Sequence, residues 1–168
     1  MLEVTGIEEL EKFHEKIKKL KQFLELLVPG LIVNDFANRD IFINAILNQI
    51  FSGIDSEGNE LPSYSVGTGI ITERESFSFD GKTKTKNQGE PFFLLDTGEF
   101  YDSVDLEQDG KIVVINADTI KIDEDGNTFD LLENGPILGL TQENADKLRD
   151  DLLIENIVII LEEEYFIF

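Results

Sequence analysis

Apolar residues recur through the first thirty positions at Ile7, Leu10, Phe13, Ile17, Leu20, Leu24 and Leu27, three or four apart. That spacing is the period of one helix face and predicts a long N-terminal helix. Thr5-Gly6-Ile7-Glu8 has the form of a capping box, in which the Thr5 hydroxyl and the Glu8 carboxylate each satisfy a free backbone donor, so the helix is expected to start there. Pro29-Gly30 is expected to stop it. The other faces mix Lys12, Lys16 and Lys19 with Glu8, Glu11 and Glu15. His14, a lone imidazole beside these charges, reads as structural filler. A second helix is predicted from about Asp35 to Phe51, burying Phe42, Ile46, Leu47 and Ile50, with Gly53 placed to end it.

The pattern then changes from helical period to turns and alternation. Asp55-Ser56-Glu57-Gly58-Asn59, Pro62, Gly67 and Gly69 make residues 52–75 a long connection. Next, SFSFDGKTKTK alternates on both sides of Asp80-Gly81, a strong short-range signal for a two-residue hairpin. Phe77 and Phe79 are expected on one face, with Ser76, Ser78 and the lysines Lys82, Lys84 and Lys86 on polar ones. Such a hairpin is marginal alone, so it needs a partner surface or stays mobile until it finds one. In PFFLLDTGEFYDSVDL, Phe92 to Leu95 form a short apolar run, and Asp96 or Thr97 is placed to cap a brief helical turn. Phe100, Tyr101 and Val104 would share its inner face, Glu99 would favour its positive end, and Gly98 would allow close backbone approach. Two strands follow, roughly Ser103–Glu107 and Lys111–Asn116, around Asp109-Gly110. Thr128 to Leu132 suggests a short helix closed by Asn134-Gly135-Pro136. Thr141 caps a final helix that carries Leu148, Leu152 and Ile157 inward. The ending EEEYFIF exposes Tyr165, Phe166, Ile167 and Phe168 unless its own domain or a neighbouring subunit covers them.

These elements predict one α+β domain over residues 1–168: a long N-terminal helix and a second helix packed on a small antiparallel sheet, with a protruding β-hairpin or extended loop at 70–90 and a C-terminal helix. At 41% hydrophobic residues, with 13 Phe, the chain is long enough to bury a substantial core. It contains no stretch apolar enough to span a membrane. Acidic residues at Glu3, Glu8 and Glu9 oppose a signal-peptide reading, so synthesis in the cytoplasm is expected. The net charge is −21 and unevenly placed. Ten of the 14 basic and 14 of the 35 acidic residues lie in 1–89, leaving −4 there and −17 on 90–168. Charge of that sign opposes DNA wrapping and adsorption to anionic membranes. It suits solubility, a basic partner, or a passage through which DNA slides without adhering.

Catalytic chemistry finds little footing. Zero cysteines exclude thiolate nucleophiles and disulfides, and the single His14 excludes His-pair metal sites and argues against a His-based triad. Asp123 to Asp130 invites a calcium reading, but counting back from Gly126 puts Lys121 at the first ligand position and Leu132 where the bidentate Glu belongs. Gly67 to Thr72 lacks the third glycine and the strand-to-helix setting of a dinucleotide loop, and no phosphate loop or Gly-x-Ser-x-Gly elbow occurs. Paired carboxylates are uninformative among so many acids. No enzyme activity, cofactor or metal is expected.

Two motifs resemble those of a tailed-bacteriophage family of virion morphogenesis proteins, the tail-completion or head-to-tail joining type. Its Leu-x-x-Thr-Gly-x-Leu-x-x-Ser-hydrophobic motif is matched by Leu94, Thr97, Gly98, Phe100, Ser103 and Val104, with Phe100 in place of the usual Leu. A later Leu-Gly-Leu-Thr/Ser-x-Glu-Asn/Asp segment is matched by Leu138, Gly139, Leu140, Thr141, Glu143 and Asn144. The Asp55-Ser56-Glu57-Gly58 turn is similar to one between the family's helices and its long loop. The usual Pro-Ala-Arg-Pro before the last helix is reduced to Asn134-Gly135-Pro136, and the extreme acidity is not general to the family. The resemblance implies a virion protein repeated as a ring between portal and tail, twelvefold rather than sixfold, touching portal, neck or tail proteins while genomic DNA passes without specific binding. The hairpin residues Phe77, Phe79, Lys82, Lys84 and Lys86, with Tyr165, Phe166 and Phe168 at the C-terminus, are the expected subunit contacts. The alternative is an acidic soluble binding module, such as a DNA mimic acting on a host nucleic-acid-binding protein.

Overall fold

The computed structural model of the protein describes residues 6–65, 75–122 and 126–165. In chain order these form α1 (Gly6–Val33), α2 (Phe36–Phe51), β1 (Phe77–Phe79), β2 (Lys82–Lys84), α3 (Glu99–Ser103), β3 (Asp105–Asp109), β4 (Ile112–Asn116), β5 (Ile120–Ile122) and β6 (Thr128–Asp130). A 3-10 turn (Leu131–Asn134), α4 (Gln142–Leu148), a π-helical turn (Arg149–Leu153) and α5 (Ile154–Tyr165) complete the order. The architecture is α+β. Its described strands pair as three separate antiparallel ribbons, β1-β2, β3-β4 and β5-β6.

Contrary to expectation, α1 continues through Pro29-Gly30 to Val33. Proline lacks the N–H that would bond the Glu25 carbonyl, a loss of about 3 kcal/mol in a helix interior. Beyond it Ile32 is buried, and Leu31 and Val33 pack against the core. Burying Ile32 contributes about 1.5–3 kcal/mol, and the partial burial of Leu31 and Val33 adds enough to offset the proline. Thr5, half of the capping box, lies outside the described residues. The tight link to α2 is closed by Asn38 Nδ2, which donates to the Leu31 carbonyl at 3.0 Å.

Both ends of α2 are where the sequence puts them. The Asp35 carboxylate accepts from Asn38 N at 2.9 Å. At the other end Gly53 N donates to Ile50 O at 2.8 Å and Ile54 N to Gln49 O at 3.2 Å, the paired bonds of a Schellman motif. Gly53 has φ +83°, and a Cβ there would come within 2.5 Å of the Pro91 side chain. From this helix Ile46, Ile50 and Phe51 enter the core to meet Phe93 and Ile137, all at most 1% exposed.

Asp80 (φ 48°) and Gly81 (φ 73°) form the hairpin turn between Phe79 and Lys82, as expected. The faces differ from expectation. A two-residue turn pairs Phe77 with Lys84 and Phe79 with Lys82 across the ribbon, so these lysines share the phenylalanine face, while Ser78 and Thr83 occupy the other. In the second ribbon Asp109 pairs with Ile112, which moves the turn one residue on, to Gly110-Lys111. Residues Thr128–Asp130 are a strand on β5 rather than the start of a helix, and the helical turn begins only at Leu131. Thr141 does cap the last helical segment, its hydroxyl accepting from Asn144 N at 3.3 Å. Leu148, Leu152 and Ile157 are half-buried, and the π-helical turn between them directs Leu153 fully into the core.

Candidate subunit-contact surfaces

The LLDTGEFYDSV stretch builds a strap across the core. Phe93 is buried, and both its backbone groups are held by tyrosines. Tyr64 Oη accepts from Phe93 N at 3.2 Å, and Tyr101 Oη donates to Phe93 O at 2.5 Å. Burial pushes the Tyr64 phenol up to about 12 and the Tyr101 phenol well above its ordinary value, so both stay protonated at neutral pH. Leu94 then takes φ +52°, a conformation that costs a leucine free energy, and packs partly against the core. Gly98, not Asp96 or Thr97, is the N-cap of α3, with φ +91°. A Cβ there would meet nothing closer than Asp102 Oδ2 at 3.9 Å, so the glycine serves the backbone conformation and not a close approach. Thr97 is exposed and accepts from Glu99 N at 3.4 Å. Phe100, Tyr101 and Val104 are buried as expected, and Ser103 Oγ donates to Phe100 O at 2.7 Å while accepting from Asp118 N at 2.9 Å.

The second motif meets α2 through a residue the sequence reading missed. Gln49 is buried, and its Nε2 donates to the carbonyls of Asp55 (3.0 Å) and Gly139 (3.1 Å). Its Oε1 accepts from Thr141 N (2.8 Å) and Asn144 Nδ2 (2.9 Å). One amide therefore joins the turn after α2 to the start of α4. A Cβ on Gly139 would lie 2.9 Å from Ser56 Cβ, and Leu140 packs partly on the core. Asp55 is also buried, and burial pushes its carboxyl pKa up. Donors from the backbone and side chain of Asn59 and the backbones of Glu57 and Gly58 outweigh that, leaving it below the ordinary carboxylate range. The only visible signal for Gln49 was a polar residue between Leu47 and Ile50 on an apolar helix face.

The hairpin finds its partner surface within its own chain. Phe79 stacks edge-on against Tyr101 at 5.0 Å between centroids, and Phe77 lies 5.7 Å from Phe93. Lys84 Nζ sits 5.6 Å from the Phe51 ring centroid, and Lys86 Nζ sits 4.2 Å from that of Phe77 while donating to Asp96 Oδ1 at 2.7 Å. Lys86 is itself buried. Lys82 is exposed, and its Nζ donates to Asn48 Oδ1 at 3.0 Å; Asn48 also donates to Asp80 at the hairpin tip. The Lys84 and Lys86 ammonium groups thus lie against aromatic rings, Lys86 with Asp96 as its counter-charge, while Lys82 stays exposed. Tyr165 ends α5 without a described side chain, and Phe166 and Phe168 lie outside the described residues.

Two helical surfaces carry apolar residues with no cover among the described residues. Every side chain from Glu9 to Lys19 is exposed. Leu10, Phe13 and Ile17 of this segment are 68%, 62% and 48% exposed. The β3-β4 ribbon covers α1 only further along, where Lys111 at its tip pairs with Glu25 and draws that carboxyl pKa down. On α5, Ile154, Val158 and Ile159 are exposed while Ile157 packs inward.

Among the described residues no cluster of three or more His, Asp or Glu is arranged to hold a metal ion. Residues 123–125 of the calcium-like stretch are not among them. No described helix is long and apolar enough to cross a membrane. Comparison with protein-family models, with curated proteins and with solved structures finds no match.

Proposed function

We propose that this protein is a structural component of a tailed-phage virion, forming a ring at the neck or head-to-tail junction and lining or surrounding the DNA channel. It acts by assembly and not by catalysis. The observation that carries the reading is the bare apolar stripe on the first half of α1, a surface of the kind that partner chains cover. The motif residues of the resemblance add support: Phe100 and Val104 anchor α3, and Thr141 caps α4 onto Gln49. The charge of −17 on residues 90–168 would repel the phosphate backbone from a channel wall.

The test is quantitative mass spectrometry of purified virions from the phage that encodes the chain, counted against the portal protein. Near parity is expected and fits a ring of portal symmetry; half parity would place it in a sixfold tier. Absence from the particle overturns the reading. Absence combined with salt-sensitive capture of a host nucleic-acid-binding protein would favour a DNA mimic instead.

A further inference from the structure

We infer that the subunit contact is a heterologous helix pair, in which the first half of α1 from one copy docks on the outer face of α5 from the next. The inference rests on the assembly reading above and specifies its interface.

The two surfaces match in pattern. Leu10, Phe13, Ile17 and Leu20 repeat at intervals of three, four and three, the seam of a coiled coil. Ile154 and Val158 form an exposed pair four apart on α5, beside the Leu153 and Ile157 side that enters the core, and half-buried Leu161 lies at the border of the two three residues further on. Ile154 and Val158 are about half exposed, as is Ile17. The lengths also agree, since residues 6–20 of a helix span about 22 Å and the twelve residues of α5 about 18 Å.

Charge selects which stripe meets which. Residues 12–21 hold five lysines against one glutamate, the densest basic run in a chain of net charge −21. With Leu10 and Ile17 as one seam position and Phe13 and Leu20 as the other, Lys16 and Lys21 flank the seam. The α5 helix contains four glutamates and no basic residue, and exposed Glu162 flanks its stripe. Pairing α5 with α5 would set glutamate against glutamate, and a parallel α1 pair would set Lys16 and Lys21 against one another. Laying the lysine-rich part of α1, which follows Glu8, Glu9 and Glu11, along α5 sets opposite charges beside an apolar seam. Where the α1 and α5 of one copy meet two different neighbours, the contact is head-to-tail, the type that closes into a ring when its rotation permits.

The absence of native cysteine makes a direct test clean. Chains carrying Phe13→Cys are mixed under mild oxidation with chains carrying Ile154→Cys, Val158→Cys or Leu161→Cys, with circular dichroism confirming that each is folded. Disulfide-linked heterodimers are expected in the mixtures, strongest for one α5 position, and not in any single variant alone. Lys16→Glu/Lys21→Glu in the Phe13→Cys chain should reduce linkage at least several-fold, and Glu162→Lys in the α5 chain should restore part of it. Self-linkage of Phe13→Cys without linkage in the mixtures would overturn the proposal in favour of a symmetric α1 pair. No linkage in any combination would overturn the contact outright. Virion content decides the assembly reading separately: a chain found in particles without this linkage keeps the neck reading and loses the seam, and linkage without virion content does the reverse.

Discussion

Phe93 and Phe13 are the same residue in opposite circumstances. Phe93 is 1% exposed and has its ring against Phe51 and its backbone held by Tyr64 and Tyr101, whereas Phe13 is 62% exposed in the first half of α1, with no other described element covering it. Around the strap Phe93, Phe100, Tyr101 and Val104 are all buried within one chain. The first half of α1 has helical period and charge in place, but no surface among the described residues covers it. One region is therefore buried within the monomer, and the proposed assembly assigns the other to a second chain.

Substitutions in the two regions should separate along that line. The largest effect is expected for Phe93→Ala, which removes a buried ring and leaves a cavity among aromatic side chains, at about 3–5 kcal/mol of unfolding free energy by denaturant titration. A loss below about 1 kcal/mol would mean that the strap is not the centre of the core. Next comes Gln49→Leu. It keeps most of the volume but strands Asp55 O, Gly139 O and Thr141 N, at about 1–3 kcal/mol for each group that water does not reach. Exchange measurements should then show the start of α4 loosening before α2.

A pH dependence sharpens the same contrast. The carboxyl of Asp55 titrates below its unfolded value, so its stabilisation is present above the ordinary carboxylate pKa and is lost as pH falls through the lowered folded value. Asp55→Asn should lower stability at neutral pH and flatten the decline below about pH 4, seen as a smaller difference between thermal midpoints at the two pH values. An unchanged slope would remove Asp55 from the acid response. The smallest effect on folding is expected for Phe13→Ser, within about 0.5 kcal/mol of the parent, because the side chain is mostly exposed and no other described element packs on it. Its effect should fall on association instead, as a sedimentation profile that stays monomeric where the parent sediments faster.

How much of this was legible in the sequence divides by range. The ends of α2, the Asp80-Gly81 turn and the Thr141 cap were all readable, since each is decided by a residue acting on backbone within a few positions. Pro29 misled because the burial of Ile32 and its neighbours lies across the molecule and outweighs a local penalty. The lysines of the hairpin were placed on the wrong face because composition suggested a polar side, while the parity of a two-residue turn fixes Lys82 and Lys84 opposite Phe79 and Phe77. Strand β6 and the turn at Gly110-Lys111 depended on partner strands that no local signal names. For the candidate surface, the stripe on α1 was visible as a pattern. That its first half would lie bare emerged only once the β3-β4 ribbon was seen to meet α1 from about Glu25 onward.

In the proposed assembly the bare faces of α1 and α5 are covered by another copy of the chain. Amide hydrogen exchange, read by mass spectrometry at dilute and concentrated protein, tests it most directly. Segments 6–20 and 154–165 should gain protection as concentration rises, while the strap at 91–104 stays equally protected throughout. Exchange in both helical segments that is independent of concentration would contradict the account.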